Sequence, residues 1–330
     1  MKRVTIREVA DRAGVSIGTV SFVLNDTKNQ SISEETRQKV LRAAAELHYT
    51  PNAIAKTLRS KKSMALAVVS YLGVSQGIFG EILEGIYEVC EQKGYALVLC
   101  PVRDDPYAFC TLYRQRRVDA AVIICPNGTG IPFDEAGNVR AVQELGMPAV
   151  LVNSSGRTPL PCVDFDFYSC GYQATRYLLE AGHEQVVYVA PDEGEYKSLA
   201  RQATERQRGF CDCMREFHKN PDFILTLKRF SDTMAAGKRY SAVVANKLSY
   251  AFEIYKLCME RGIRIGREIA ITCAHYDPEI RFLYPSITCA RLPFGEIGRR
   301  AVAAALDLSD GKPAPVKTVL PSQIQTGGSA

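Results

Sequence analysis

The chain has 330 residues, of which 46% are hydrophobic and 23% charged, and carries a formal net charge of +5. That composition excludes a disordered tail, a collagen-like fibre and a coiled rod, and leaves material for two or three packed units. Apolar runs such as residues 65–72 fall short of the roughly 20 residues that span a bilayer, and Met1-Lys2-Arg3-Val4-Thr5 leads into no apolar leader, so neither a membrane span nor export is expected.

The charge is uneven along the chain. Residues 1–62 hold 12 Lys and Arg against 6 Asp and Glu, whereas the remaining 268 hold 29 against 30. The first segment also lacks cysteine, and its only aromatics are Phe22 and Tyr49. Composition therefore predicts a domain boundary near residue 60, with a small basic head suited to a polyanion.

Thr5-Ile6-Arg7-Glu8 has the capping-box pattern, and Ile6, Val9, Ala10 and Ala13 follow at helical spacing. Gly14 ends that helix, Val15 fills the turn, and Ser16 is placed to cap a second helix over residues 17–25. In this helix Val20, Val23 and Leu24 face inward, while Ile17, Gly18, Thr19, Ser21 and Phe22 lie outward or at the edge. A third helix starts at Ser33, with Val40, Ala44 and Leu47 as its buried stripe. Two short helices joined by a tight glycine turn predict a helix-turn-helix.

Together with Val4 to Ser16, Thr19-Val20-Ser21, Val23-Leu24-Asn25, Ser33 to Val40, Tyr49-Thr50-Pro51-Asn52-Ala53-Ile54-Ala55 and Leu58, this segment resembles the head and hinge of the lactose-repressor-like (LacI/GalR) transcription regulators. The resemblance implies that the second helix enters the major groove and that the segment after Pro51 becomes a hinge helix on operator DNA. Ser16, Thr19, Ser21 and Asn25 would then contact phosphates or groove edges, and Ile17, Gly18 and Phe22 would occupy base-reading positions. Thr5, Tyr49, Asn52, Ala53 and Lys56 complete the implied DNA-binding set. Leu58 matches the family's minor-groove wedge, with Arg59, Lys61 and Lys62 nearby for phosphates. Polar or basic side chains are usual at the base-reading positions. None of Ile17, Gly18 and Phe22 can form a bidentate bond to a base edge, so direct readout would rest on apolar contact.

From residue 65 short apolar runs alternate with amphipathic stretches. Strands are predicted at residues 65–69, 96–100, 120–124, 149–152, 185–190, 224–227, 242–245 and 269–273. A spacing of about 25 to 30 residues is that of βαβ units in parallel sheets, and eight strands divide most simply into two lobes. Pro159-Leu160-Pro161 is the expected crossing and residues 287–291 the expected return. The eleven cysteines lie from Cys90 to Cys289 inside apolar stretches with no CxxC pair, which suits small buried side chains in a reducing cytoplasm.

Neither GxGxxG nor a P-loop follows any strand, and there is no nucleophile elbow, HExxH or clustered metal spacing. The four histidines, His48, His183, His218 and His275, are far apart. An enzyme would need a phosphate loop or an acid/base pair, and a transporter's solute-binding component would need an export signal and no basic head. No catalytic residue, cofactor or metal is expected.

The body also resembles the LacI/GalR family, through Phe79 to Ile86, Leu179-Glu180-Ala181-Gly182-His183, Glu205 to Phe210 and Phe294 to Ala301. The implied fold is a two-lobed type-I periplasmic-binding-protein-like body with parallel sheets, holding an effector between its lobes. The expected layout is a head at 1–49, a hinge at 50–63 and a body at 64–330. Lobe 1 would cover about 64–161 plus 291–319, and lobe 2 about 162–290 plus 320–330. By alignment Arg206 would anchor the effector, Asn153 and Asn246 would be polar contacts, and Phe79, Phe230 and Phe294 apolar walls. The family usually has Asp after Ala-Asn, where this chain has Lys247, and His275 aligns with its sugar-binding Asp. Lysine cannot accept hydrogen bonds from hydroxyls, so one reading is an anionic or phosphorylated effector. The other is a drifted pocket in which Lys247 faces solvent and Asp277 takes the carboxylate role. The resemblance further implies a cytoplasmic, nucleoid-associated regulator, repression being the expected mode, whose two heads read a palindrome at a spacing of about 34 Å. The ending Gly327-Gly328-Ser329-Ala330 carries no leucine-heptad tail, so a dimer rather than a tetramer is expected.

Overall fold

The computed structural model describes residues 4–24, 31–49, 62–71, 77–100, 102, 105–126, 133–154, 158–191 and 193–330, without the side chains of 193–200. The chain divides into two compact units, Met1–Ser63 and Met64–Ala330.

In the first unit α1 (Ile6–Ala13) starts at a complete capping box, Thr5 accepting from the Glu8 amide while the Glu8 carboxylate accepts from the Thr5 amide. It stops at Gly14, whose φ of 67° is the left-handed conformation that only glycine adopts without strain. Ser16 accepts from the Thr19 amide and opens α2 (Ile17–Leu24), and Ser33 caps α3 (Glu34–Glu46). Val9, Ala10, Val20, Val23, Val40, Ala43 and Ala44 form the core. An ion pair at 2.7 Å between Arg12 and Glu46 ties α1 to α3.

The second unit contains two six-stranded sheets. Sheet 1 runs β11 (Lys317–Leu320), β5 (Cys162–Phe165), β4 (Ala149–Val152), β3 (Ala120–Ile124), β1 (Ala65–Ser70), β2 (Ala96–Cys100). Sheet 2 runs β12 (Gln323–Gln325), β10 (Thr288–Arg291), β9 (Ala270–Cys273), β8 (Ala242–Ala245), β6 (Val186–Ala190), β7 (Ile224–Thr226). All neighbours are parallel except β10 and β12. The central strands are continuously apolar because helices cover both faces. Those helices are α4 (Gly77–Lys93), α5 (Ala108–Arg114), α6 (Glu135–Leu145), α7 (Phe167–Glu180), α8 (Glu193–Glu216), α9 (Leu227–Ala235), α10 (Leu248–Glu260) and α11 (Phe294–Ser309). All eleven cysteines are free and all but Cys211 are buried.

The crossing between lobes lies later than Pro159-Leu160-Pro161. Cys162–Phe165 is a fifth strand of sheet 1, paired with β4 and β11, so the chain changes lobe between Phe165 and Phe167. Residues 162–165 therefore belong to lobe 1. The return follows β10, and the last crossing lies between Leu320 and Gln323. Four strands went unread in the sequence: β5 and β10 are four residues long and mix polar with apolar side chains, while β11 and β12 are half-exposed edges.

Helices α4 and α11 pack at the closest approach glycine allows. A Cβ on Gly85 would collide with the Gly295 carbonyl, and one on Gly298 with the Ile82 carbonyl. In an exposed helix Gly→Ala stabilises by about 1 kcal/mol. Here Gly85→Ala is expected to destabilise instead, by about 1–3 kcal/mol of overpacking, read as a lower Tm in thermal denaturation. An unchanged or higher Tm would contradict the packing.

Candidate functional site

On α2 the exposed residues are Gly18, Ile17 at 40% and Phe22 at 38% of full exposure, so two large apolar side chains stand on the surface of a unit otherwise rich in charge. Ser16 is exposed and its hydroxyl lies 2.9 Å from that of Thr19, which is half-buried. Thr5, the N-cap of α1, is exposed but committed to its capping box. Ser21 does not lie outward. It is buried at 7% exposure, because it follows Val20 on the flank of the helix turned toward the core. Tyr49 is half-buried against the same core. Asn25, Asn52, Ala53, Lys56 and Leu58 lie outside the described residues.

In the body, the polar residues with chemical interest sit at the carboxyl ends of the parallel strands, where open α/β sheets form their ligand crevice. Asn153 follows β4, Asn246 follows β8, His275 and Asp277 follow β9, and Arg206 projects from α8. Arg206 is 3% exposed, and its guanidinium carbon lies 5.1 Å from the Phe167 ring centroid. Its Nη2 lies 3.1 Å from Nδ1 of His275. A guanidinium only donates, so Nδ1 accepts and the imidazole proton sits on Nε2. Burial, Arg206 and Lys247 together push the His275 pKa down to about 3, which keeps the ring neutral throughout the physiological range.

Three buried polar atoms here lack a partner among the described residues: Nε of Arg206, Oδ1 of Asn153 and Oδ1 of Asp277. Asn153 adopts φ 60° and donates to the Pro126 carbonyl at 3.3 Å, while Asn246 donates to the Tyr188 hydroxyl at 2.6 Å. Lys247 lies over the Tyr250 ring at 4.7 Å. Lys247, Leu248, Ser249, Phe252, His275, Asp277 and Glu279 line a hollow of about 330 Å³, so His275 and Asp277 both face it. Phe79 and Phe294 are buried at 4% and 3% exposure. Phe230 is not a wall of open space: it is fully buried and stacked on Tyr240 at 5.2 Å.

A second hollow of about 460 Å³ spans the lobes, lined among others by Ser154, Asp164, Phe165 and Lys317 from lobe 1 and by Phe167, Arg201 and Glu205 from lobe 2. Arg206 touches one lining residue of each hollow, Phe167 of the second and His275 of the first. Three contacts close the lobes on each other. Arg201 reaches the Ser154 carbonyl and lies 3.6 Å from Asp164, Glu81 of α4 pairs with Arg291 of β10 at 3.0 Å, and Gly77 abuts the Pro278 ring. Arg291 also stacks over Tyr276 at 4.2 Å. Sequence reading missed these residues because the pairs are separated by up to 210 positions and carry no local pattern.

A basic helix-turn-helix unit joined to a two-lobed, cleft-forming α/β body defines a ligand-responsive DNA-binding protein rather than an enzyme. Residues 5–52 match the lacI family of bacterial regulatory proteins, residues 62–240 the periplasmic binding proteins and sugar binding domain of the LacI family, and residues 175–330 a periplasmic binding protein-like domain. The HTH-type transcriptional repressor PurR of Histophilus somni strain 2336 is 32% identical over 316 residues, 90% of each chain. PurR of Pectobacterium atrosepticum is 27% identical over 92% of this chain and 89% of its own. The Lac repressor dimer bound to operator and the anti-inducer ONPF superposes with a TM-score of 0.74 at 23% identity over 99% of both chains. The CelR–cellobiose complex gives 0.65 at 21% identity over 99% of this chain and 100% of its own. The chain belongs to the lacI family of bacterial regulatory proteins. It is a transcriptional regulator, and among the described residues no helix is long and apolar enough to cross a membrane.

The neutral His275 has a consequence for stability. An unfolded chain protonates this histidine near pH 6.5, whereas the native body takes up the proton only near pH 3. Its contribution is complete above pH 6.5 and is lost as the pH falls toward 3, at up to about 1.4 kcal/mol per pH unit. His275→Gln is expected to flatten that part of the acid limb in urea unfolding measured from pH 7.5 to 4.5. Parallel curves for the two proteins would count against a neutral His275 in the native body.

Proposed function

We propose that the protein represses transcription by binding a palindromic operator as a homodimer, under the control of a small molecule held around Arg206. The observation that carries the reading is α2, which holds Ile17, Gly18 and Phe22 on the open face of a rigid three-helix unit. Apolar contact with thymine methyls is the base readout these side chains can make. Ser16 and Thr19 supply hydroxyls beside them, with Thr5 and Tyr49 at the margins. Ser21 is kept as a packing residue. Asn25, Asn52, Ala53, Lys56 and the Leu58 wedge complete the DNA-binding set on the family resemblance alone. The relatives support the partners: Lac repressor was solved as a dimer on operator, and CelR with cellobiose.

The layout proposed is a head at 1–49, a hinge at 50–63, lobe 1 at 64–165 plus 292–320 and lobe 2 at 166–291 plus 321–330. Asn153, Arg206, Asn246, Lys247, His275 and Asp277 are the polar effector contacts, with Phe79 and Phe294 behind them. The effector is anionic, as Lys247 and His275 suggest. Dimerisation uses exposed apolar side chains of the body, among them Phe252 and Met259, two turns apart on α10, with Phe282 at 71% and Tyr284 at 93% exposure. The protein works in the cytoplasm, on the nucleoid when bound to DNA.

Mobility shift on the promoter beside its own gene tests the reading. A retarded complex that weakens steeply with salt is expected. Ile17→Ala should cost about 1–2 kcal/mol of operator binding, the apolar burial of the lost carbons, while leaving the Tm unchanged, since the side chain is exposed. Leu58→Ala should lose operator affinity and keep effector affinity. No preference for any palindrome over random competitor sinks the proposal. Met259→Lys should shift sedimentation toward monomer, and an unchanged dimer would move the interface elsewhere.

A further inference from the structure

The ligand class is written in the charges around Arg206. This guanidinium is 3% exposed, and among the described residues no carboxylate lies within ion-pair distance of it. Its neighbours are an aromatic ring, Phe167, and an imidazole that the geometry keeps neutral. A buried cation without a counter-ion is costly, and the cost persists in any complex whose ligand is neutral. The Nε of Arg206 is a buried donor without a partner among the described residues, and the Nε2 proton of His275 is a second donor beside it. On the other side of the balance, Oδ1 of Asn153 and Oδ1 of Asp277 are acceptors awaiting donors. A ligand complementary to these groups carries a negative charge for Arg206 and donor groups such as hydroxyls for the two oxygens. Asp277 and Glu279 line the hollow beside His275 against one cation, Lys247, so the two carboxylates outnumber the charge that a second anionic group on the ligand would need.

We propose that the effector is a hydroxylated monocarboxylic acid of the sugar-acid type, its carboxylate on Arg206 and His275 and its hydroxyls donating to Asn153 and Asp277. The proposal rests on the reading of this chain as an effector-controlled regulator and goes further by naming the effector's chemistry. His275 is the specificity-determining residue: as a neutral donor it leaves the charge of Arg206 for the ligand, and a carboxylate in its place would take that charge itself.

The test is thermal shift of the full chain at constant ionic strength with D-glucuronate, D-galacturonate and D-gluconate, set against D-glucose, D-galactose and glucose 6-phosphate, with operator retardation measured in parallel. At least one acid is expected to raise the Tm by about 2 °C or more above its neutral counterpart. His275→Asp should weaken that acid by about tenfold or more and strengthen the neutral sugar, while His275→Asn keeps the acid preference. Retained operator binding by both variants reports that they are folded. No acid outperforming its neutral counterpart, a phosphate ester binding tighter than every acid, or an acid preference unchanged in His275→Asp overturns the assignment. Operator binding without an acid preference removes the ligand class and leaves the regulator standing, whereas wild type that retards no operator removes the regulator reading.

Discussion

The Arg206 guanidinium is held inside the body by packing that encloses its charge, with no carboxylate among the described residues to cancel it. Helices α7 and α8 cross so closely that Gly171 lies against the Arg206 carbonyl and Gly209 against that of Tyr168, with no room for a Cβ at either position. That approach brings Arg206 over Phe167, the first residue of α7 after the chain changes lobes. Whatever binds the cation is thus in contact with the crossing itself. A ligand can alter a regulator only through unequal affinity for its states, and a buried charge is a strong lever because its environment differs most between an open and a closed cleft.

The two lobes are knit together by side chains from both. Arg201 spans to Ser154 and Asp164, Arg291 spans to Glu81, and Pro278 rests on Gly77. Asp164 is nearly inaccessible and is faced by Lys317 at 2.9 Å as well as by Arg201. The two charged ties each use a partly solvated arginine and the third is an apolar contact, so each contributes modestly. Such ties suit a body that has to open and close, because no single one locks it.

Much of this was legible in the sequence where the signal is local. Thr5 with Glu8, Gly14, and Ser33 mark helix ends through hydrogen bonds spanning three or four residues, and the apolar runs of β1 to β4 and β6, β8 and β9 announce strands buried on both faces. The rest depends on distant chain. Cys162–Phe165 hides its strand because Asp164 interrupts the apolar run, and that carboxylate is tolerated because the Ser154 amide, Arg201 and Lys317 reach it from elsewhere in the chain. Ser21 is among the residues expected outward or at the edge of α2, yet it is 7% exposed, on the flank turned toward the core. Phe230 aligned with a cleft wall, but Tyr240 stacks on it and removes it from solvent. His275 and Asp277 were alternatives in the sequence, and both turn toward the same hollow.

The two lobes are joined by three short strands of chain, after β5, after β10 and between β11 and β12, the last steadied by Ser169 bonding to Ser322 at 2.9 Å. One tether would let the lobes swivel freely and two would define an axis. A third, running alongside, suppresses twist and shear, so that relative motion collapses onto a single bending coordinate. A binding event anywhere in the cleft is thereby projected onto one angle, and the molecule behaves as a gauge with one needle.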